Sequence, residues 1–143
     1  MKKFFAILAL IAMSIMVVIG CGSGAEKKDG GKKFGTEIGY KINGDKIIFV
    51  FNPADYPAGF DETEMVTLAG EMNGWDAGAK DWQLVKKDDG MWYFETTKDK
   101  IPAGTKFKFV VNTVDWQQPT PEKMPKDHLT DDGYGGFNLL CLY

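Results

Sequence analysis

In "MVTLAGEMNGWD", Met65 to Asp76, an apolar strand runs into a bend between Gly70 and Gly74 and sets Trp75 at its tip, where water rather than core is expected. An indole so placed offers a large apolar face with a negative π-cloud, on which a ring that presents C–H groups can stack. Stacking of flat rings on aromatic side chains is worth about 1–3 kcal/mol per ring. Even with a second ring beside it, binding of this kind stays weak, roughly millimolar to micromolar.

Other chemistries have less to stand on. The single histidine, His128, lies in a Pro-rich stretch with no cysteine or serine constellation around it, and reads as a surface residue. Glycoside hydrolysis needs two carboxylates held across a cleft, and the acids of this chain fall in turns without forming such a pair. Asp131-Asp132-Gly133 hints at a calcium loop, yet the alternating ligands and closing glutamate of an EF-hand are missing. The expectation is a non-catalytic protein with no metal and no cofactor.

The elements that must position Trp75 are strands. From Ile38 onward no window has convincing helical spacing of apolar residues, and the domain reads as all-β. Tyr40 to Ile42 and Ile47 to Phe51 flank Asn43-Gly44-Asp45, a tight-hairpin signature, and the second arm is apolar enough to be covered on both faces. Met65 to Ala69 is a short strand. Asp88-Asp89-Gly90 turns into Met91 to Thr97, with Trp92 and Phe94 on one face. In Thr105 to Val111, Phe107, Phe109 and Val111 alternate with Lys106, Lys108 and Val110, so Lys108 stands on the non-core face. Gln117 to Gly133 holds three prolines and cannot be a central strand; a connection this long crosses between sheets or helps to build a site. Phe137 to Tyr143 is the last strand. About seven short strands predict two packed antiparallel sheets.

Three segments in fixed order carry a family resemblance: "VTLAGEMNGWD", "DDGMWYFETTKDKIPAGTKFKFVVN", and the pair "DWQQP" and "DDGYGGFN". Together they resemble the glycogen-binding domains, carbohydrate-binding module family forty-eight, over roughly Ile47 to Tyr143. The resemblance implies an immunoglobulin-like sandwich that binds α-glucans such as glycogen, starch or malto-oligosaccharide without cleaving them. It implies a sugar platform of Trp75 and Trp116 with Lys108 beside it, and contacts from Tyr134 and Phe137 before the last strand. The chain departs from the pattern in places. Met72 stands where an aromatic is common, one extra residue separates Lys108 from Trp116, and Tyr134, Gly135 and Phe137 replace leucine, threonine and asparagine. Those departures support a second reading, a sandwich that has lost the sugar and serves as a protein-interaction or structural lipoprotein. The bland role of each residue stays open too: Trp75 as a lid on a sheet edge, Trp116 as a pin for its loop, Lys108 as a solvated side chain, and Tyr134 and Phe137 as strand-end packing, which for these two is the favoured reading. Trp92 reads as core, and Trp82 either packs locally or extends the platform.

The N-terminal segment is an export signal: Lys2 and Lys3, then a sixteen-residue apolar run from Phe4 to Ile19, too short to span a membrane comfortably. Val18-Ile19-Gly20-Cys21 resembles a bacterial lipobox, which implies cleavage before Cys21 and lipid on its sulfur. The protein is then expected in the cell envelope, anchored to a membrane without crossing it. Residues 1–20 form the signal peptide and 21–37 a Gly/Lys tether. Residues 38–143, about 105, suffice for one domain. The mature chain holds fifteen lysines, no arginine and twenty acids, a formal charge of −5 that argues against nucleic acid as a partner. Cys141 lies in an apolar run and reads as a small buried hydrophobe without a disulfide partner.

Overall fold

The computed structural model describes residues 39–56 and 62–143, so the signal segment, the tether and Cys21 lie outside the described residues. Among the described residues nine strands form two antiparallel sheets, an all-β sandwich: β1 (Tyr40–Asn43), β2 (Lys46–Phe51), β3 (Val66–Gly70), β4 (Val85–Lys86), β5 (Trp92–Thr97), β6 (Thr105–Val111), β7 (Asp115–Trp116), β8 (Leu129–Asp131) and β9 (Phe137–Cys141). One sheet has the order β1-β2-β5-β4, the other β3-β6-β9-β8 with β7 added beside β6. Among the described residues no helix is long and apolar enough to cross a membrane.

The first hairpin pairs Asn43 with Lys46, so Gly44 and Asp45 make its turn. Only Gly44 of these two takes positive φ, 63°, the arrangement in which glycine occupies the first turn position. Between the sheets, Phe49, Phe51, Phe107 and Phe109 are fully buried together with Ile47, Val66, Leu68 and Leu139. Phe49 meets Phe107 edge-on, with centroids 4.9 Å apart and planes at 79°, an orientation that sets a positive ring edge on a negative face. β2 is covered on both faces from Phe49 to Phe51, whereas Ile48 is only half-buried. β6 alternates as its sequence predicts, yet its outward residues Lys108 and Val110 are buried as well. The other face of this sheet is therefore covered, and what covers it is the site described below.

Three short strands escape the sequence pattern. β4 and β7 are two residues each, too brief for any periodicity. β8 begins within the Pro-rich connection, after Pro125, where the chain recovers backbone donors, and it pairs only with β9 as an edge strand. His128 is not a surface residue: it is half-buried, with Nδ1 3.2 Å from the Tyr40 hydroxyl and 3.3 Å from the Leu140 carbonyl. The Tyr40 hydroxyl also donates to Leu142 O at 2.8 Å and so holds the end of the chain against β1. Cys141 is free and buried, and burial pushes its thiol up to about 12.

Candidate functional site

Trp75 is delivered by close packing at the end of β3. A Cβ on Gly70 would strike the Lys106 carbonyl oxygen and the sulfur of Met72, so β3 can pass β6 there only as glycine. A single 3-10 turn, Glu71–Asn73, follows. Asn73 holds it by accepting from Gly70 N at 3.0 Å and donating to Leu68 O at 2.9 Å, while Met72 packs against the core. Trp75 N then donates to Gly70 O at 2.8 Å and closes the loop. Trp75 itself sits at φ 63°, a left-handed conformation that costs a side-chain-bearing residue roughly 1–2 kcal/mol. Such strain persists only where the surroundings over-determine it, as the glycine contact and the two asparagine bonds do here.

Trp116 arrives by a second tight turn. Asn112 and Thr113 take φ 50° and 64° and reverse the chain into β7. The Asn112 side chain accepts from Glu64 N at 2.9 Å and Met65 N at 3.1 Å and donates to Glu62 O at 2.9 Å, anchoring the turn to the segment before β3. In register, Trp116 stands opposite Val110 and is 39% exposed. Its ring centroid lies 6.4 Å from that of half-buried Trp75, with the planes tilted by 41°. The pair is a shallow trough rather than a flat platform; the tilt follows from delivering the rings on two different turns.

Beneath the trough lies an ion pair. Lys108 Nζ is 2.5 Å from Asp132 Oδ2 and 3.1 Å from Gln118 Oε1, and the two charged side chains are 6% and 7% exposed. The other Asp132 oxygen accepts from Tyr134 N at 2.8 Å and Gly136 N at 2.9 Å. The Lys108 hydrogen bond, more than these backbone donors, holds the Asp132 carboxyl down at about 2, below its ordinary 3.8. A Cβ on Gly136 would collide with Gln118 Oε1 and crowd Asp132, so the loop can close on this cluster only with glycine there. Lys108 is thus a fixed element rather than a solvated side chain or a free-swinging donor. Two of the three donors of its ammonium are committed among the described residues.

An open cleft of about 670 Å³ brings together Trp75, Lys108, Trp116 and Tyr134. Tyr134, at the tip of the β8–β9 loop, is 95% exposed. Phe137 does not reach this cleft; half-buried at the start of β9, it lines a neighbouring depression of about 400 Å³ with Pro119 and Pro121. Of the remaining tryptophans, Trp92 is core, and Trp82 packs locally against Phe94 at 5.3 Å between centroids rather than extending the trough.

The cleft also contains Glu71, Lys106, Gln118, Asp131, Asp132 and Asn138, none of them among the residues expected to touch a sugar. Asp132 had no signal of its own in this role, because only the covering loop turns an outward lysine into one that needs a carboxylate. Among the described residues three acids and two lysines line the cleft, and the pairs Lys108–Asp132 and Lys106–Glu71, the latter at 3.9 Å, take up four of those charges, which favours an uncharged ligand. Among the described residues no group of three or more His, Cys, Asp or Glu side chains could hold a metal ion. Compared with known proteins, the chain matches no family model and no curated sequence.

Proposed function

We propose that this protein is a non-catalytic, lipid-anchored module of the cell envelope that binds α-glucan, whether glycogen, starch or malto-oligosaccharide, by aromatic stacking. One observation carries the reading: Trp75 and Trp116, far apart in sequence, tilt toward a common open trough with Lys108 and Tyr134 at its floor and rim. Neutral pyranose rings suit it, since their C–H faces match indole π-faces and no net charge is needed. The tilt of 41° favours a chain whose successive rings turn, as α-linked glucose does, over a flat ribbon. The resemblance to glycogen-binding domains points to the same ligand. Anchoring through Cys21 rests on the lipobox-like segment alone.

The competing reading, a sandwich that has lost sugar binding and meets a protein instead, draws on Lys108, whose ammonium is already held by Asp132 and Gln118. Affinity electrophoresis in gels containing glycogen or starch separates the two. Retarded wild-type protein, with retardation lost in Trp75→Ala and Trp116→Ala, is the expected result. Unretarded wild type ends the glucan reading, and retardation indifferent to both substitutions moves the site elsewhere.

A further inference from the structure

The cleft does not end at Tyr134. On the far side of that ring the chain forms the second depression, which shares Gln118, Asp132 and Tyr134 with the first, so the two are continuous around one exposed side chain. It is lined by half-buried Phe137 and exposed Pro121, an aromatic and a pyrrolidine ring with flat apolar faces, with buried Pro119 beneath them. Among the described residues lining it, the one charged side chain is Asp132, already neutralised by Lys108 at 2.5 Å. The Gln118 amide gives its oxygen to Lys108, which leaves the two donors of its nitrogen for a hydroxyl. At about 670 Å³ and 400 Å³ both hollows fall in the size range of small-ligand sites.

We propose that the Phe137–Pro119–Pro121 depression is a second sugar subsite. A ligand lying on the tryptophan trough continues into it around Tyr134, so that the protein selects longer α-glucan chains over short ones. The inference rests on the glucan reading of the trough. Apolar rings with an amide donor and no net charge are the chemistry of the trough itself, repeated one step along the same surface. Asp132 serves both hollows by position: it fixes Lys108 under the first and, through the backbone of Tyr134 and Gly136, the ridge between them.

The test is calorimetric titration of the purified full-length chain with maltotriose and with maltoheptaose. Wild type is expected to bind the heptasaccharide about tenfold more tightly, the lower part of what one further ring contact supplies. Phe137→Ala should bring maltoheptaose down to the affinity of maltotriose and leave maltotriose unchanged. Because Phe137 is half-buried, Pro121→Ala at the exposed wall is measured beside it, with melting temperatures for both, and is expected to lower the same length preference less steeply. If both variants melt like wild type and keep the full length preference, the second subsite is wrong while the trough stands. Equal weakening of both sugars by Phe137→Ala also overturns the subsite. Failure of wild type to bind either sugar removes the trough, and the subsite with it.

Discussion

Both sheets carry lysine–carboxylate pairs on their outer faces, and two of these pairs, one from each sheet, differ chiefly in their surroundings. Lys46 meets Glu95 at 2.7 Å with the side chains 55% and 51% exposed; Lys108 meets Asp132 at 2.5 Å with 6% and 7%. The first pair lies on bare strand surface, where water solvates both ions and their attraction is worth little. The second lies under β7, Gln118 and the β8–β9 loop, where each ion has lost water and depends on the other. The same two chemical groups are surface decoration on one sheet and a foundation on the other. Coverage decides it, and the coverage is the cleft.

The aromatic pairs repeat the lesson. Trp82 and Phe94 lie 5.3 Å apart at 39°, Trp75 and Trp116 6.4 Å apart at 41°, yet the former pair packs against the core and the latter faces an open cleft. Ring geometry alone does not make a site.

The sharpest break in the comparison comes from Lys108→Met, which keeps the apolar stem and strands the Asp132 carboxylate among backbone donors alone. Its fall in melting temperature should be several times that of Lys46→Met, which should stay within about 3 °C in thermal denaturation. Equal shifts would mean that the buried pair is no foundation. Next in size, Trp82→Ala should cost about 2 kcal/mol in urea unfolding, less than a fully buried tryptophan because part of its surface is already open, with glucan retardation intact. Trp75→Gly should do the reverse. It loses the ring but relaxes a left-handed residue, so stability moves by about 1 kcal/mol at most while glucan affinity falls about tenfold or more.

Acid should expose the buried pair as well. The Asp132 carboxyl titrates near 2 in the folded chain and near its ordinary 3.8 when unfolded. A depressed carboxyl contributes stability that is present above the unfolded value and lost as pH falls through the folded one. The advantage of wild type over Asp132→Asn should therefore be full above about pH 4 and shrink steadily toward pH 2 in thermal melts. A constant gap across that window would remove the charge of Asp132 from the account.

Most of the sandwich was legible because its long strands obey simple alternation: Phe107, Phe109 and Val111 face in, Lys106, Lys108 and Val110 face out. Strands of two residues carry no period, so β4 and β7 were invisible, and β8 hid behind three prolines. In the site, the tryptophan at the turn was legible as an oddity, an apolar ring where water belongs. What could not be read was depth. Alternation says that Lys108 points away from the core, but not that a second layer of loop lies over it, because that layer is set by Gly136 and Gln118, residues without hydrophobic pattern. The tilt between the indoles was equally hidden, since it depends on positive φ at Trp75, Asn112 and Thr113, none of them a glycine.

The smallest effect is also the most discriminating between the two pairs. A double-mutant cycle on Lys46 and Glu95 should give a coupling of about 0.2–1 kcal/mol at low salt. Raising the ionic strength to 1 M shortens the screening length to about 3 Å, and with both side chains half in water that coupling should fall close to zero. The corresponding cycle on Lys108 and Asp132 has no room for counterions between groups 6% and 7% exposed, so its coupling should survive the same salt nearly unchanged. If salt instead erases both couplings, water and ions reach Lys108 freely, the loop is not a cover, and the difference between the sheets reduces to sequence position alone.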